Sequence, residues 1–505
     1  MESLFTFNET KNAIANHDIP FQSDVSRSLS NQIDDNLNRI KYDLGDSSDL
    51  IIRKETITRQ NFVFAVIHID GISDHQKIST DIIEKLLNHQ HGHKRKTNSL
   101  PAIEKILSVS GLKCQSSYTS LLSDLLFGET ILLIDNETSY LVFSTKMPPS
   151  REIPSEPSTQ TVIRGPKDSF TENLRTNTGL IRQRIQHPAL RIHSMKIGEI
   201  TRTDVALFFI KGHTDENLIK EVKHRLAAIN TNAILDSSYI EKSIKNNQMT
   251  VFPTVINTER PDAVVGNLLE GRIAIMTAGS PFAIIAPATF PQFFQSPSDY
   301  YHSGYYAAFL RFLRVLCCFL TLFSPSLFVA IFTHHSGLLP TGLLVSVSAK
   351  RETVPLPLIV EALVVTLAFE VFRESTIRMP RAVGNAVSIV GSLIIGQAAV
   401  EAGFISPSMT ILISLTAITN FVIPNYSMAI SIRLLKYLLL IAGAYIGLYG
   451  ITLVSLLILL HLCSIRSFEE PYFYPFGPFK LKSHKDTLIV TPSVGNHISY
   501  RKNEN

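Results

Sequence analysis

The run VEALVVTLAFEVFRESTIRMPR, residues 360–381, sets acids and bases inside otherwise apolar sequence. Glu361 and Glu370 fall in, or at the end of, a stretch long enough to cross a bilayer. An ionised carboxylate at that depth costs several kcal/mol unless it is paired or hydrated. Glu370–Arg373 and Glu374–Arg378 have i,i+3 and i,i+4 spacing, which permits local ion pairs. Glu361 has no partner at such spacing, so it is expected to face a polar interior or a water path. Arg381, Asn385, Gln397 and Glu401 extend the thread. The chemistry that fits is ion handling along a pore or at a contact between subunits. A structural ion-pair network is the competing reading for the Glu370–Arg378 group.

Other reactive side chains carry less. His89, His91 and His93 alternate in HQHGHKRK (89–96), but a metal site usually recruits another ligand from elsewhere, and a solvated loop is the expected state. Cys114, Cys317, Cys318 and Cys463 show neither zinc nor CxxC spacing. No GxGxxG, Walker loop or nucleophile elbow is present, and no nucleophile–base constellation emerges. The expectation is a chain that is not an enzyme and holds no metal or cofactor.

The elements that must hold these residues divide between two solvents. Residues 1–310 contain 66 of the 90 charged side chains, 32 basic and 34 acidic. Residues 382–465 contain three, Glu401, Arg433 and Lys436. A water-facing surface that apolar would associate or aggregate. The fold class expected is therefore α/β plus membrane α: two mixed α/β subdomains, then a polytopic helical membrane domain of about five spans. A net charge of +4 leaves no nucleic-acid footprint.

Residues 1–48 read as a polar lead-in, disordered or loosely helical. The first α/β subdomain is expected over 49–147, with a strand at 61–70 and a hairpin of 130–135 with 139–145. The four prolines of MPPSREIPSEP (147–157) mark a boundary. The second subdomain, 148–310, is expected to open with a helix near 168–185. Strands follow at 190–199, 204–211 and 233–235, helices at 216–229 and 239–245, and a hairpin of 272–279 with 282–287.

Candidate spans are 315–333, 354–372, 382–400, 409–424 and 437–463, since a crossing needs about 20 apolar residues. Residues 337–349 are too short to cross unaided and read as re-entrant or tilted. The membrane domain occupies 311–466, before a polar tail at 467–505. Tyr300, Tyr301, Tyr305 and Tyr306 form an interfacial belt, and Arg311 and Arg314 fit the cytoplasmic side. Gly391, Gly396, Gly443 and Gly447 are expected to permit close helix packing. No secretory signal is visible, so the N-terminal domain is expected in the cytoplasm. Parity stays open: five spans place Arg373, Arg378 and Arg381 inside but send the lysine-rich tail outside.

Several longer runs resemble one family. They are IRGPKDSFTENLRTNTGLIRQRI (163–185), GEITRTDVALFFIKG (198–212), ERPDAVVGNLLEGRIAIM (259–276) and PFAIIAPATFPQFFQSPSDYY (281–301). RESTIRMPRAVGNAVSIVGSLIIGQAAVEAGFISP (373–407) and PYFYPFGP (471–478) complete the set. In order and spacing, over roughly 50–480, they resemble the A subunits of GerA-type germinant receptors of spore-forming bacteria. The resemblance implies a multi-pass protein of the spore inner membrane that triggers germination in response to nutrients. It implies a transporter-like B subunit and a C lipoprotein as partners. It also implies self-association, as a pentamer, into a ligand-gated ion channel. A secondary transporter and a structural scaffold for other germination proteins are the alternatives.

Overall fold

Apolar residues at 33, 37, 40 and 44 recur at helical spacing, and in this computed structural model they form the buried face of α1 (Ile33–Leu44). Gly45, at φ 63°, ends the helix in the left-handed region. This segment is thus an ordered part of the first core. Its abundance of Asn and Asp hides the periodicity from composition. The structure describes residues 28–57, 62–87, 103, 107, 112–147, 157, 159–246, 249–380, 391, 394–477 and 479. His89, His91, His93, Arg381 and Asn385 lie outside them.

The first unit is a five-stranded antiparallel sheet of β1 (Leu50–Ile57), β2 (Phe62–Ile69), β3 (Lys113–Gln115), β4 (Thr130–Ile134) and β5 (Tyr140–Phe143), in the order β1-β2-β4-β5-β3. β2, β4 and β5 are buried on both faces, which explains their near-continuous apolar runs. One face packs against α1 and α2 (Tyr118–Phe127). The other packs against helical residues from Ile78 to Leu107. The expected 130–145 hairpin is present as β4–β5, turning at Asn136 with φ 65°.

The second unit opens with α3 (Leu174–Arg184), whose first turn is capped by the Asn173 carboxamide. β6 (Leu190–Ile197) and β7 (Thr203–Ile210) follow, then α4 (Glu216–Ala227), α5 (Ser237–Ile244), β8 (Ile256–Thr258), α6 (Pro261–Leu269), β9 (Ile273–Thr277) and β10 (Ala283–Ala286). The sheet runs β6-β7-β9-β10-β8, the same order as in the first unit. α3 and α6 cover one face, and α4 and α5 the other. The two units share one topology, a repeat that the sequence does not display. Residues 233–235 are not a strand, contrary to expectation; Ile234 is buried beside α4 and α5 as part of a loop.

The units dock through a buried seam. Arg182 of α3 makes a bidentate pair with Asp49 of the first unit, at 2.8 Å for both its Nε–H and its closest Nη contact. Gly179 lies so close to Gly71 that an added Cβ would stand 2.3 Å from the Gly71 carbonyl. Only glycine fits there.

The remaining helices are α7 (Gly304–His334), α8 (Thr341–Arg351), α9 (Leu358–Arg378), α10 (Pro407–Phe421), α11 (Tyr426–Ile446) and α12 (Leu448–Ser464). Among the described residues, α7 and α11 are the two helices long and apolar enough to cross a membrane. α10 and α12 are apolar but shorter. α7 begins at Gly304, well before the expected start near 315, and its 31 residues span about 46 Å. It is longer than the hydrocarbon core of a bilayer, about 30 Å. Pro325 sits inside α7, whereas Pro340 and Pro357 occupy the N-caps of α8 and α9. The single span expected at 437–463 is instead two helices, because Gly447, at φ 71°, ends α11 and begins α12.

Both ends of this helical region meet the second α/β unit. After α12, Ser467 bonds to Ala288 and Thr254, and Phe468 enters the unit's core. The Phe290 amide donates to the Tyr472 carbonyl at 2.7 Å. The first part of the expected polar tail is thus a packed strap: β11 (Arg466–Ser467), β12 (Glu470–Pro471) and the buried Tyr472.

Candidate functional site

Three charged nodes organise the helices. The first joins the α/β unit to α7. Asp299 is fully buried and accepts from Arg314 at 2.7 and 2.8 Å and from Arg311 at 3.1 Å. The Arg314 guanidinium also donates to the Phe294 carbonyl at 3.1 Å. Both arginines are buried, and they clamp the first turns of α7 to the segment that follows the second sheet.

The second node lies at the N-terminal end of α9. Glu361 is completely buried. Its Oε1 accepts from the Ser406 backbone amide at 2.7 Å and the Ser406 hydroxyl at 2.6 Å. Ser406 is the N-cap of α10, so the carboxylate faces the positive end of that helix. The Arg351 Nε stands 3.5 Å from Glu361 Oε2. Spacing along the chain offers Glu361 no partner; the fold brings one from 45 residues on.

The third node lies at the other end of α9. Arg433 of α11 donates to Glu370 at 3.0 Å, and Arg373 approaches the same oxygen at 3.6 Å. Arg373 also stands over the Phe421 ring, 4.9 Å from its centroid. Lys436, one turn beyond Arg433, is 6% exposed. Glu374 and Arg378 pair at 2.7 Å but are largely exposed. Gln397 donates to Glu401 at 2.9 Å, also on an exposed surface. The polar thread is thus separated within the protomer into two buried nodes and two exposed pairs.

The aromatic and glycine positions separate as well. Tyr305 and Tyr306 are exposed at the start of α7, and Tyr300 is partly so. Tyr301 instead turns into the second α/β unit and donates to Asp262 at 2.8 Å. Burial and that carboxylate push its hydroxyl above the usual tyrosine range. Gly443 permits close contact between α11 and α7: an added Cβ would lie 2.9 Å from the Ser326 carbonyl. Gly447 is the turn, crowded by His334 and His335, and not part of a helix face. Gly391 lies against the Phe372 ring, whereas Gly396 has nothing within 4 Å among the described residues.

Comparison with known proteins decides what these helices belong to. A family model described as the Bacillus/Clostridium GerA spore germination protein matches residues 38–499. The chain belongs to the GerA family. It is 46% identical to Spore germination protein KA of Bacillus subtilis over 92% of this chain and 85% of that protein. It is 36% identical to Spore germination protein A1 of the same organism, over 91% and 94%. It is also similar to the N-terminal domain of the A subunit of the Bacillus megaterium spore germinant receptor GerK3. That crystal structure is 37% identical, covers 52% of this chain and 98% of its own, and aligns with a TM-score of 0.42.

The resemblance read from the sequence is borne out by this membership, and the GerA-like runs map onto the nodes. The 281–301 run supplies Asp299, the 373–407 run supplies Arg373 and Ser406, and the 471–478 run supplies Pro471 and Tyr472 of the strap. Sequence reasoning did not assign Asp299, Arg351, Ser406, Arg433 or Lys436 to a site. For the last two a signal existed: they are two of only three charges in 382–465. Among the described residues, no group of three or more His, Cys, Asp or Glu side chains is placed to hold a metal.

Proposed function

We propose that this chain is the A subunit of a nutrient germinant receptor in the spore inner membrane. It works with a transporter-like B subunit and a C lipoprotein, and it self-associates into a ligand-gated ion channel. Family membership supports the receptor role. The observation that favours self-association is the side of α9 left uncovered among the described residues. Val360, Val364, Leu367 and Val371 recur at helical spacing and are exposed in the protomer. The last three border an apolar depression of about 500 Å³ with Phe372, Gly391 and Ile394. α8, beside it, has no buried residue. A second copy of the bundle can cover both.

In the assembled state Glu374, Arg378, Gln397 and Glu401 are the charged and polar groups left to face an ion path, with Arg381 and Asn385 expected to join them. Glu361 is committed to Ser406 and holds the bundle's shape. Gating is a population shift: nutrient bound on a partner favours one packing of the helices over another. The Asp299 node offers the coupling, since it ties α7 to the α/β unit. We read the N-terminal units as cytoplasmic and the helical region as crossing an even number of times. A transporter fits less well, because it needs a midplane site between membrane repeats, and the repeat found here is in the α/β units.

The test is reconstitution with the B subunit in liposomes, followed by nutrient-dependent cation flux. Flux should require this chain. Equal flux from the B subunit alone would sink the channel assignment.

A further inference from the structure

The third node carries more positive charge than its own side chains neutralise. Glu370 is the one acid among Arg373, Arg433 and Lys436 in the described residues, and it is shared by both arginines. It also lies close enough to act on the charge of Lys436, as do the two arginines. No hydrogen bond or ion pair engages the Lys436 ammonium among the described residues. The Arg373 Nη1, 3.6 Å from Glu370, makes no hydrogen bond there. Two net positive charges on mostly buried side chains cost several kcal/mol of lost hydration unless an anion accompanies them.

The depth of the node identifies the anion. The Ser431 hydroxyl of α11 donates to the Val251 carbonyl of the α/β unit at 2.6 Å, which fixes that level of the helix at the water-facing unit. Arg433 and Lys436 follow two and five residues later, about 3 and 7.5 Å further along the axis. That is the headgroup layer. Phe421, Leu434 and Val371, on the three helices that build the node, are exposed apolar side chains suited to acyl chains. Tyr426, at the start of α11, is exposed beside them. A cationic cluster at headgroup depth, edged by apolar side chains, is the chemistry that holds a lipid phosphate.

We propose that Arg373, Arg433 and Lys436 bind the phosphate of an anionic phospholipid, with Glu370 holding the two arginines in place. The inference rests on the membrane reading of the helices, but it does not depend on channel activity. The shared chemistry with free phosphate is resolved by the choice of probes.

The full chain, purified in detergent, is examined by native mass spectrometry with phosphatidylglycerol, cardiolipin, phosphatidylcholine and inorganic phosphate offered separately. Wild type is expected to retain phosphatidylglycerol or cardiolipin over phosphatidylcholine, and millimolar inorganic phosphate is expected not to displace them. Lys436→Gln should weaken retention about tenfold, the loss of one charged contact to phosphate, and Lys436→Arg should restore it. Lys436→Gln gives up the ammonium's contact with the Tyr437 ring, 5.3 Å from its centroid, and breaks no hydrogen bond or ion pair among the described residues, so folding should survive, and the lipid preference of wild type is decisive by itself. Equal retention of anionic and zwitterionic lipid overturns the proposal. So does binding of inorganic phosphate without any lipid preference. Loss of a co-purified protein subunit in Lys436→Gln, with no lipid effect, would assign the site to a protein carboxylate instead. Failure of the chain to partition into detergent micelles would overturn the membrane reading itself.

Discussion

At the scale of the residue, burial rather than type decides what a charged or titratable group does. His68 on β2 is 5% exposed, and neither ring nitrogen has a hydrogen-bond partner among the described residues. Burial lowers its pKa to about 4 from 6.5, with the neighbouring His75 adding to the effect. Between those values the unfolded chain binds a proton that the folded chain refuses, so stability falls as pH drops from 6.5 towards 4. The loss should approach about 3 kcal/mol and level off below pH 4. Thermal melting across pH should show that slope, and His68→Phe should flatten it; an unchanged slope would remove His68 from the acid response. Glu361→Gln gives up a charged acceptor for two Ser406 donors and the Arg351 pair, at about 2 kcal/mol. Protein level and germination should fall together. Germination lost at normal level and melting temperature would return Glu361 to the ion path. The sequence shows that Glu361 needs a partner, but a partner 45 residues away is invisible to helical spacing.

At the scale of the element, strong periodicity is legible and close approach is not. The apolar runs of β2, β4, β7 and β9 declare themselves because both sheet faces are covered. α1 does not, because polar residues dilute a four-residue apolar stripe. The helix break at Gly447 is missed for a related reason: Gly443 and Gly447 share i,i+4 spacing, yet one sits in a packed face and the other turns the chain at positive φ. The crowding at Gly443 and the open space at Gly396 predict opposite sensitivities along the bundle. Gly443→Val must push α11 away from the Ser326 carbonyl of α7, a repacking that costs about 1–3 kcal/mol. Yield of folded protein in detergent should drop. Gly396→Val meets nothing within 4 Å among the described residues and should leave monomer yield unchanged. If it nevertheless abolishes the oligomer on native gels, residue 396 lies at a contact between copies; an intact oligomer would place that contact elsewhere, with the α9 stripe as the remaining surface.

At the scale of the whole molecule, the charge split identifies two solvents, while the path between them depends on contacts distant in sequence. Counting spans leaves the side of the tail open, because 437–463 reads as one crossing and 467 onward as free polar chain. The strap of 466–472 packs on the second α/β unit through buried contacts of Ser467, Phe468 and Tyr472; on the proposed membrane reading, α12 then returns to the side from which α7 departs. At the opposite end His334 bonds to the Ala444 carbonyl at 2.7 Å, and the Leu448 amide donates to His335 at 3.3 Å. The loop after α7 and the α11–α12 turn therefore share the far side. Three single-cysteine proteins test this, in a background lacking the other native thiols. One keeps the exposed Cys114, one carries Glu469→Cys in the strap and one carries Gly337→Cys in the far loop, where an added Cβ meets nothing within 4 Å. In sealed inverted vesicles an impermeant maleimide should label positions 114 and 469 and spare 337; right-side-out vesicles should reverse the pattern. Co-labelling of 469 with 337 would mean an odd number of crossings. The strap would then be on the wrong side of the bilayer from the α/β unit, and its contacts with Ala288 and Thr254 could not exist.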